Sequence, residues 1–354
     1  MFFLRFANHY RMSAKVTYSV SMYNSALYIE KCARSLFEQT LEDIEFIFVD
    51  DASTDGSVDA VKKILEDYPQ RKNQVRFVVH ERNMGSAASK RDSYLYAKGE
   101  YVIVADSDDY AEKDTAEILY NKAKAEDADL VVCSIYQHFK QNTAVLDFWG
   151  NKGDQNEAEL RKNMILCCVP TGLWCHMVRR DLILVDHFVW PTANFAEDVV
   201  ISVQMACFAK KIVWVDVPLY HYVYTPQSIC SKMDGKSQMQ RFFDFVDNYD
   251  LVVELLKKQG IYETYHRDMF ICYQKRALDM LRMVKDHKGR RQMLKTRLPE
   301  LEKGFLKGGI FEKPTYREKI YYLAIVSGTY PYVHHLLHDH KFFRLRPEWN
   351  NYWN

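Results

Sequence analysis

Three carboxylates follow an apolar run abruptly near residue 106 and give the sequence its clearest chemistry. Residues 101–105 are β-branched or aromatic apart from one alanine, which is typical of a buried strand, and Asp106, Asp108 and Asp109 come directly after them. Because an open parallel sheet binds its ligand beyond the carboxyl ends of its strands, we expect Asp106 and Asp108 at a ligand crevice. Two carboxylates one residue apart offer hard oxygen ligands, which suit Mg²⁺ or Mn²⁺ shared with a substrate diphosphate. A solvated turn or a helix N-cap is the structural alternative.

The elements that must position these carboxylates alternate between strand and helix. Apolar and β-branched runs predict strands at residues 16–20, 44–49, 75–79, 101–105 and 130–135. Apolar residues at helical spacing predict helices in the intervals between these strands. Alternation at this spacing implies parallel pairing with right-handed crossovers. The sequence therefore predicts an α/β fold with a doubly wound, Rossmann-like and mostly parallel sheet flanked by helices.

Beyond residue 136 the pattern becomes less regular. Residues 140–158 are polar and predict loops or short edge strands. Residues 212–215 and 219–224 predict two strands around Asp216-Val217-Pro218. From residue 237 apolar residues recur at helical spacing, which predicts a mainly helical C-terminal region.

Composition limits the partners and the compartment. The 48 basic and 47 acidic residues nearly balance, which argues against a nucleic-acid partner. The eight cysteines lie mostly in apolar runs and form no C-x-x-C pair, so we expect reduced thiols in a cytoplasmic protein. No segment has the apolar length of a signal sequence or a membrane span. In residues 316–354, however, aromatic side chains interleave with cations. This composition suits a peripheral membrane surface, or a helical cap packed on the catalytic domain or on a second subunit.

Several short motifs occur along the chain in one order, near the ends of predicted strands or the starts of predicted helices. They are Ser21-Met22-Tyr23-Asn24, Asp50-Asp51-Ala52-Ser53-Thr54-Asp55-Gly56-Ser57, Asn83-Met84-Gly85, Lys98-Gly99-Glu100-Tyr101, Asp106-Ser107-Asp108-Asp109 and Glu197-Asp198. In this set and order the chain resembles the family 2 glycosyltransferases of GT-A fold. The resemblance covers about residues 15–230 and is much weaker beyond residue 237.

The resemblance implies an inverting transfer of a sugar from a nucleotide-sugar, most often a UDP-sugar, to a hydroxyl group of a saccharide or lipid-linked saccharide. It also implies a divalent cofactor, Mn²⁺ or Mg²⁺, on the diphosphate, where the ion stabilises the charge of the leaving group. Together with the changes in pattern, it divides the chain into a loose tail at 1–14, a catalytic domain at 15–235 and a helical region at 236–354. Within the catalytic domain, residues 15–135 would bind the nucleotide-sugar and residues 136–235 the acceptor.

Carried over residue by residue, the resemblance places the nucleotide-sugar beside Tyr23, Asp50, Asp51, Lys90 and Asp106. Tyr23 and the Asp50-Asp51 pair would border the nucleobase and ribose, and Asp106 the ribose or the metal ion. Asp108 would be a metal ligand, with His221 as a third ligand, as a C-terminal histidine is in some relatives.

Asp198 matches the general base of the family. A sugar hydroxyl is a poor nucleophile near neutral pH, so a carboxylate must accept its proton as it attacks. Neighbouring Glu197, together with Trp174 and His176, is expected on the acceptor side of the site.

Each assignment has a structural alternative. Asp50 and Asp51 could cap the helix that follows them, and Asp198 could be one of the acidic residues that a helix N-terminus favours. His221 between strand aromatics, and Trp174 in an apolar run, could be packing residues.

The chain departs from the family pattern at several positions. Ser21 replaces the usual proline after the first strand, and Ala52 replaces the usual glycine after the aspartate pair. Lys90 stands where the family has arginine, and it keeps the positive charge without the bidentate fork. None of these changes removes a carboxylate that the mechanism needs.

Two other functions compete with this one. A nucleotidyltransferase would share the sheet and the metal carboxylates but would have no need of Asp198. A non-catalytic nucleotide-sugar-binding or scaffold subunit would not require Asp106, Asp108 and Asp198 together. No Walker-type loop and no G-x-G-x-x-G follows a predicted strand, which disfavours an ATPase or a dinucleotide enzyme. The three carboxylates therefore favour the glycosyltransferase.

Overall fold

The computed structural model describes residues 14–138, 142–146, 156–225 and 235–269, with three further helical positions at 276, 280 and 323. The chain divides into two compact units. The first consists of Met1–Arg161, Val169–Thr192 and Gln204–Thr225, and the second of Lys162–Cys168, Ala193–Val203 and Pro226–Asn354. The predicted tail and the aromatic and cationic stretch lie outside the described residues, except for Ala14 and Leu323.

Nine strands form a single sheet in the described part of the first unit. They are β1 (Val16–Met22), β2 (Ile44–Asp50), β3 (Val75–Val79), β4 (Tyr101–Asp106), β5 (Tyr110–Ala111), β6 (Leu130–His138), β7 (Thr143–Leu146), β8 (His176–Arg179) and β9 (Ile212–Val223). Their order across the sheet is β3-β2-β1-β4-β8-β6-β9-β5, and β7 also pairs with β6.

The helices follow the strands in the alternation that the sequence predicts up to β6. They are α1 (Ile29–Phe37), α2 (Ser57–Leu65), α3 (Ser86–Leu95), α4 (Thr115–Glu126), α5 (Glu157–Ile165), α6 (Arg180–Ile183), α7 (Glu197–Phe208), α8 (Gly235–Lys258) and α9 (Tyr262–Met269). Two short 3₁₀ helices lie at Pro69–Gln74 and Leu173–Cys175. Among the described helices, none combines the length and apolar character needed to cross a bilayer.

The α/β class is confirmed, and the parallel pairing is confirmed for β1 to β4. Strand β1 lies between β2 and β4, and all three run parallel, as do β2 and β3. Strands β1 and β2 are buried over nearly their whole length because helices cover a parallel sheet on its faces, which is why they read as continuous apolar runs.

The second half of the sheet is mixed, which the sequence did not predict. Strand β8 inserts between β4 and β6 and runs antiparallel to both, so the regular parallel winding stops at β4. Strands β5 and β7 also pair antiparallel with their neighbours. β8 has only four residues and carries a histidine and an arginine, so its sequence shows no strand alternation long enough to recognise.

Residues 212–223 form one strand, so the prediction of two strands was wrong. Strand β9 runs parallel to β6, and the pairing shifts between Cys133 and Ile135 of β6 while Asp216 and Val217 stay without a partner in the register. Such a bulge tolerates Pro218, whose missing N–H would otherwise interrupt the pairing. The bulge therefore turns a sequence that resembles a strand break into a bend within one strand.

A close backbone contact fixes the start of β4 against β1. The N–H of Gly99 donates to Thr17 Oγ1 at 2.8 Å, and the Thr17 hydroxyl donates to Glu45 Oε2 at 2.7 Å. A Cβ atom at Gly99 would lie 2.4 Å from the backbone nitrogen of Thr17, so only glycine fits there. The glycine of the Lys98-Gly99 motif thus holds β4, and the carboxylates at its end, in register with β1.

Candidate active site

The carboxyl ends of β1, β2 and β4 lie side by side and bring the predicted nucleotide-binding residues together. Met22 of β1 pairs with Asp50 of β2, and Ser21 of β1 pairs with Asp106 of β4. The two aspartates therefore flank the end of the central strand. Tyr23 follows that strand directly and leaves 53% of its side chain exposed, so its ring is available to a ligand.

The loops after β1 and β2 are joined by side-chain hydrogen bonds. The N–H of Asn24 donates to Ser53 Oγ at 2.9 Å, and Asn24 Oδ1 accepts from Thr54 N at 2.9 Å. The N–H of Ala26 donates to Asp55 Oδ2 at 2.8 Å. Ala52 has φ of 59°, in the left-handed region that glycine adopts without strain, which explains why the family usually has glycine there. These contacts hold the two loops together beyond the carboxyl ends of β1 and β2.

Asp50 is buried and retains one oxygen that could receive a ligand. Its Oδ2 accepts a hydrogen bond from Ser53 N at 3.1 Å, whereas its Oδ1 has no partner among the described residues. The residue is 2% exposed. An unsatisfied buried acceptor costs about 1–3 kcal/mol, so a ligand N–H or O–H at this position would be favoured. The capping alternative does not hold for α2, because its N-cap Gly56 is held by no side-chain capping bond and Ser57 N is bound by Asp55.

Asp51 closes the loop before α3 instead of facing α2. Its carboxylate accepts hydrogen bonds from Met84 N at 2.7 Å and Gly85 N at 2.8 Å, and it lies 2.7 Å from His80 Nδ1. The Asn83-Met84-Gly85 motif is therefore the partner of Asp51. The motifs predict ligand contact for Asp51, but they do not indicate its bond to His80, because His80 belongs to no motif.

Asp106 and Asp108 form the carboxylate pair that could share a metal ion with a diphosphate. Lys90 Nζ approaches Asp106 Oδ1 at 3.9 Å, which brings together the predicted phosphate ligand and the predicted metal ligand. Burial, and then the negative charge of Asp106, raise the pKa of Asp108, while a hydrogen bond from Thr225 opposes the shift. A divalent cation would relieve this repulsion, so the chemistry of the pair fits such an ion.

The described residues contain no cluster of three or more His, Cys, Asp or Glu side chains that could enclose a metal ion. Mg²⁺ is often bound by one or two carboxylates together with substrate phosphates, so two carboxylates are enough for an ion that arrives with the sugar donor. Asp106 and Asp108 fit that kind of site.

Asp109, the third carboxylate, is an internal anchor. It is 1% exposed, and its two oxygens accept hydrogen bonds from Val223 N at 2.7 Å and from the Tyr220 hydroxyl at 2.9 Å. The same hydroxyl accepts from Asp106 N at 3.1 Å. Burial, followed by the charges of Asp106 and Asp108, raises the pKa of Asp109. Tyr220 thus ties the end of β4 to β9, a role that no motif in the sequence indicates.

His221 lies within an aromatic and imidazole stack. Its ring is 4.0 Å from that of Tyr110 and 4.6 Å from that of Tyr136. Its Nε2 is 2.8 Å from Glu112 Oε1, and its Nδ1 is 2.8 Å from His138 Nε2. Burial lowers the pKa of His221. Since both ring nitrogens already have partners, these contacts favour the packing role over that of a third metal ligand.

Trp174 stacks on two tyrosines of β9. Its ring lies 5.1 Å from that of Tyr220 at an angle of 3°, and 5.7 Å from that of Tyr222. A Cβ atom at Gly172 would lie 2.2 Å from the indole, so the ring lies directly over that glycine. Trp174 is half-buried, and it is joined through Tyr220 to the end of β4.

His176 is buried in β8, where its neighbour across the pairing is Val132 of β6. Burial lowers the pKa of its imidazole from the ordinary 6.5 to about 3. This position favours a packing role for His176 over contact with an acceptor.

The buried His176 predicts a loss of stability in mild acid. Because the folded state resists protonation, the unfolded chain binds the proton first as the pH falls below 6.5, and the free energy of unfolding falls until the folded pKa is reached. Between pH 7.5 and pH 5, protonation of this one group in the unfolded chain lowers the free energy of unfolding by about 2 kcal/mol. Urea titrations at the two pH values should show a smaller difference, by about that amount, in His176→Leu. The exposed His187 supplies the control. If His187→Leu reduced the difference in unfolding free energy between the two pH values equally, the effect could not be assigned to the burial of His176.

Glu197 and Asp198 begin α7 and belong to the second unit. Asp198 is half-buried, and its Oδ1 accepts from Val199 N at 2.9 Å. Ala196 before them has φ of 61°, and Asn248 Nδ2 of α8 donates to Phe195 O at 2.9 Å. The strained turn and the asparagine together fix the entry into α7. The carboxylates of the first turn also suit the positive end of the helix dipole.

Comparison with known proteins agrees with this geometry. The sequence model described as "Glycosyl transferase family 2" matches residues 19–180. The chain is 30% identical over 261 residues to "Cholesterol galactosyltransferase" of Borreliella burgdorferi, covering 70% of this chain and 69% of that protein. It is 29% identical over 259 residues to "Putative glycosyltransferase EpsH" of Bacillus subtilis, covering 72% of each.

The fold also matches a solved structure. The S. aureus protein TarS 1–349, in complex with UDP-GlcNAc, has a TM-score of 0.57 at 17% identity, covering 91% of this chain and 92% of that one. The GT-A architecture that the motifs predicted is thus confirmed. The chain belongs to glycosyl transferase family 2 and is an enzyme that transfers a glycosyl group from a nucleotide-sugar.

Proposed function

We propose that this enzyme transfers a sugar, with inversion, from a UDP-sugar held with Mn²⁺ or Mg²⁺ to a hydroxyl group of a saccharide or lipid-linked saccharide. One observation carries the proposal. The exposed ring of Tyr23, the unpaired oxygen of Asp50 and the carboxylates of Asp106 and Asp108 all lie at the carboxyl ends of neighbouring parallel strands.

The free acceptor oxygen of Asp50 supports uracil as the base. A carboxylate oxygen only accepts hydrogen bonds, and uracil offers an N–H at its ring position 3, where cytosine has only a lone pair. The half-exposed ring of Tyr23 is suited to stack on a base. The complex of TarS with UDP-GlcNAc supports a uridine nucleotide in a protein of this fold.

The diphosphate would lie beside Lys90, Asp106 and Asp108. A divalent ion, when bound by the two aspartates, neutralises the charge that the departing nucleoside diphosphate gains. Lys90, 3.9 Å from Asp106, contributes a positive charge of the protein's own at the same place. As a single compact charge, it stabilises phosphate oxygens without demanding a fixed plane.

The transfer itself is a direct displacement at the anomeric carbon. The acceptor oxygen forms a bond to that carbon while the bond to the diphosphate oxygen breaks, and the hydroxyl proton passes to the carboxylate of Asp198. Because attack and departure occur on opposite faces, the configuration inverts. Glu197 beside it, buried and in the same helical turn, adds a second negative charge near the base.

The acceptor is proposed at the level of chemical class. The name of the Borreliella relative specifies cholesterol, which is a lipid alcohol. The name of EpsH specifies glycosyl transfer without an acceptor. A saccharide or lipid-linked saccharide offers the hydroxyl that Asp198 would deprotonate. Assembly of surface polysaccharide at the cytoplasmic face of a membrane is the setting that fits these partners.

Nucleotide selectivity tests the proposal. Isothermal calorimetry with UDP, CDP and GDP in the presence of Mn²⁺ should give the tightest binding for UDP, by at least about tenfold over CDP, which differs at the base edge that Asp50 would contact. Asp50→Asn should reduce this preference. Asp59→Asn, an exposed position on α2, should preserve it. Equal affinity for the three nucleotides would contradict the proposed donor.

A further inference from the structure

His80 joins two buried carboxylates beyond the end of β3. Its Nδ1 lies 2.7 Å from Asp51 Oδ1, and its Nε2 lies 3.1 Å from Asp92 Oδ2. Only 9% of the His80 side chain is exposed. Its backbone N–H donates to Asp50 O at 2.9 Å, which fixes the residue against β2. The imidazole therefore sets the separation between a carboxylate after β2 and a carboxylate on α3.

Each carboxylate holds a different part of α3. Asp51 binds the N–H groups of Met84 and Gly85, directly before the first residue of the helix. Gly85 has φ of 91°, so the chain turns there in a conformation that needs glycine. Asp92 lies two turns further along and also accepts from Arg91 Nε at 2.7 Å. His80 thus connects the entry of α3 to its middle.

Lys90 lies on α3 between these two anchor points. Its Nζ reaches Asp106 at 3.9 Å, across from the proposed diphosphate position. A lysine has a long flexible side chain, so the position of its charged group depends on how firmly its helix is held. Asp51 holds the start of that helix directly, and the bonds of His80 add a second link, from the Asp50-Asp51 loop to Asp92.

We propose that His80 is a positioning residue for the sugar donor, holding α3 so that Lys90 meets the diphosphate beside Asp106. The inference rests on the proposed function, because it takes the UDP diphosphate as the group that Lys90 contacts. His80 itself does not touch the donor. On this proposal, its effect on UDP binding passes through Lys90 and not through the Asp50-Asp51 loop.

A double-mutant cycle measures this dependence. UDP affinity is determined by calorimetry with Mn²⁺ for the parent, His80→Ala, Lys90→Met and the double variant. His80→Ala should weaken UDP binding by about tenfold in the parent, the scale of a lost hydrogen bond to a charged group. In the Lys90→Met background the same change should cost less than about twofold. His80→Asn keeps an amide that can bond Asp51, and it should recover part of the affinity.

The control separates positioning from general loosening. Phe77 lies on β3, the strand that precedes His80. Phe77→Leu removes part of a ring stack with Phe48 and leaves Asp51 untouched. It should lower the melting temperature while the UDP affinity stays within about twofold of the parent, the effect expected of a site without shared partners. Should His80→Ala fail to fold, the cycle is run with His80→Asn.

Two outcomes would each contradict the inference, and they can be distinguished from one another. If the parent binds UDP and the losses for His80 and Lys90 simply add, His80 has only a structural role and the inference is overturned. If the parent does not bind UDP at all, the proposed function fails, and the inference fails with it.

Discussion

Asp108→Asn should lose binding of Mn²⁺ and UDP together. The substitution keeps the shape of the side chain but removes one of the two charges that would hold the ion. A charge interaction near a protein surface is worth a few kcal/mol, so we expect UDP affinity in Mn²⁺ to fall on the order of a hundredfold. The parent in EDTA should show a similar fall, because the ion is then absent for a different reason.

Calorimetry with UDP, in Mn²⁺ and in EDTA, gives both comparisons. Asp59→Asn removes the same charge from an exposed position on α2 and should bind like the parent. Equal affinity of the parent in Mn²⁺ and EDTA would refute the metal assignment. If the UDP affinity of Asp108→Asn still differed between Mn²⁺ and EDTA as in the parent, the ion would be bound by other residues.

Asp198→Asn should separate binding from catalysis. A group that acts only on the acceptor hydroxyl contributes to the transition state and not to donor binding. The variant should therefore bind UDP nearly as well as the parent and transfer sugar at least about a hundredfold more slowly, the usual scale for a lost general base. Initial rates at saturating donor, paired with UDP titrations, supply the two numbers.

Glu254→Gln is the matched control for Asp198, because it neutralises an exposed carboxylate on α8 of the same unit. Its transfer rate should stay close to that of the parent. If Asp198→Asn retained most of the rate, the base would be another residue. If it lost UDP binding as well, Asp198 would be part of the donor site.

The residues at the carboxyl ends of β1, β2 and β4 could be predicted because the pattern that indicates them is local. Each of these strands is an apolar run in the sequence. Because the strands are parallel neighbours, their carboxyl ends lie together, with Asp50 and Asp106 on either side of β1. The motifs then supplied the family. Ala52 has φ of 59°, so this loop has a left-handed backbone at the position where the family usually has glycine.

The remainder depends on contacts between residues far apart in the chain. The bond of Tyr220 to Asp109 spans 111 positions, so no local pattern marks Asp109 as an anchor and not a ligand. The pairing of His80 with Asp51 has no motif either. The mixed half of the sheet was missed for a similar reason, because β8 acquires its strand conformation from β4 and β6 on its two sides.

The configuration of the released sugar shows whether the transfer proceeds with inversion. With water as the acceptor, the enzyme and a UDP-α-sugar should release free sugar slowly, and proton NMR can identify the first anomer before mutarotation. We expect the β-anomer to form first in Mn²⁺. Its release should be suppressed by EDTA and by Asp108→Asn, and slowed in Asp198→Asn. An initial α-anomer would contradict inversion, and release that continues unchanged in EDTA would contradict the metal assignment.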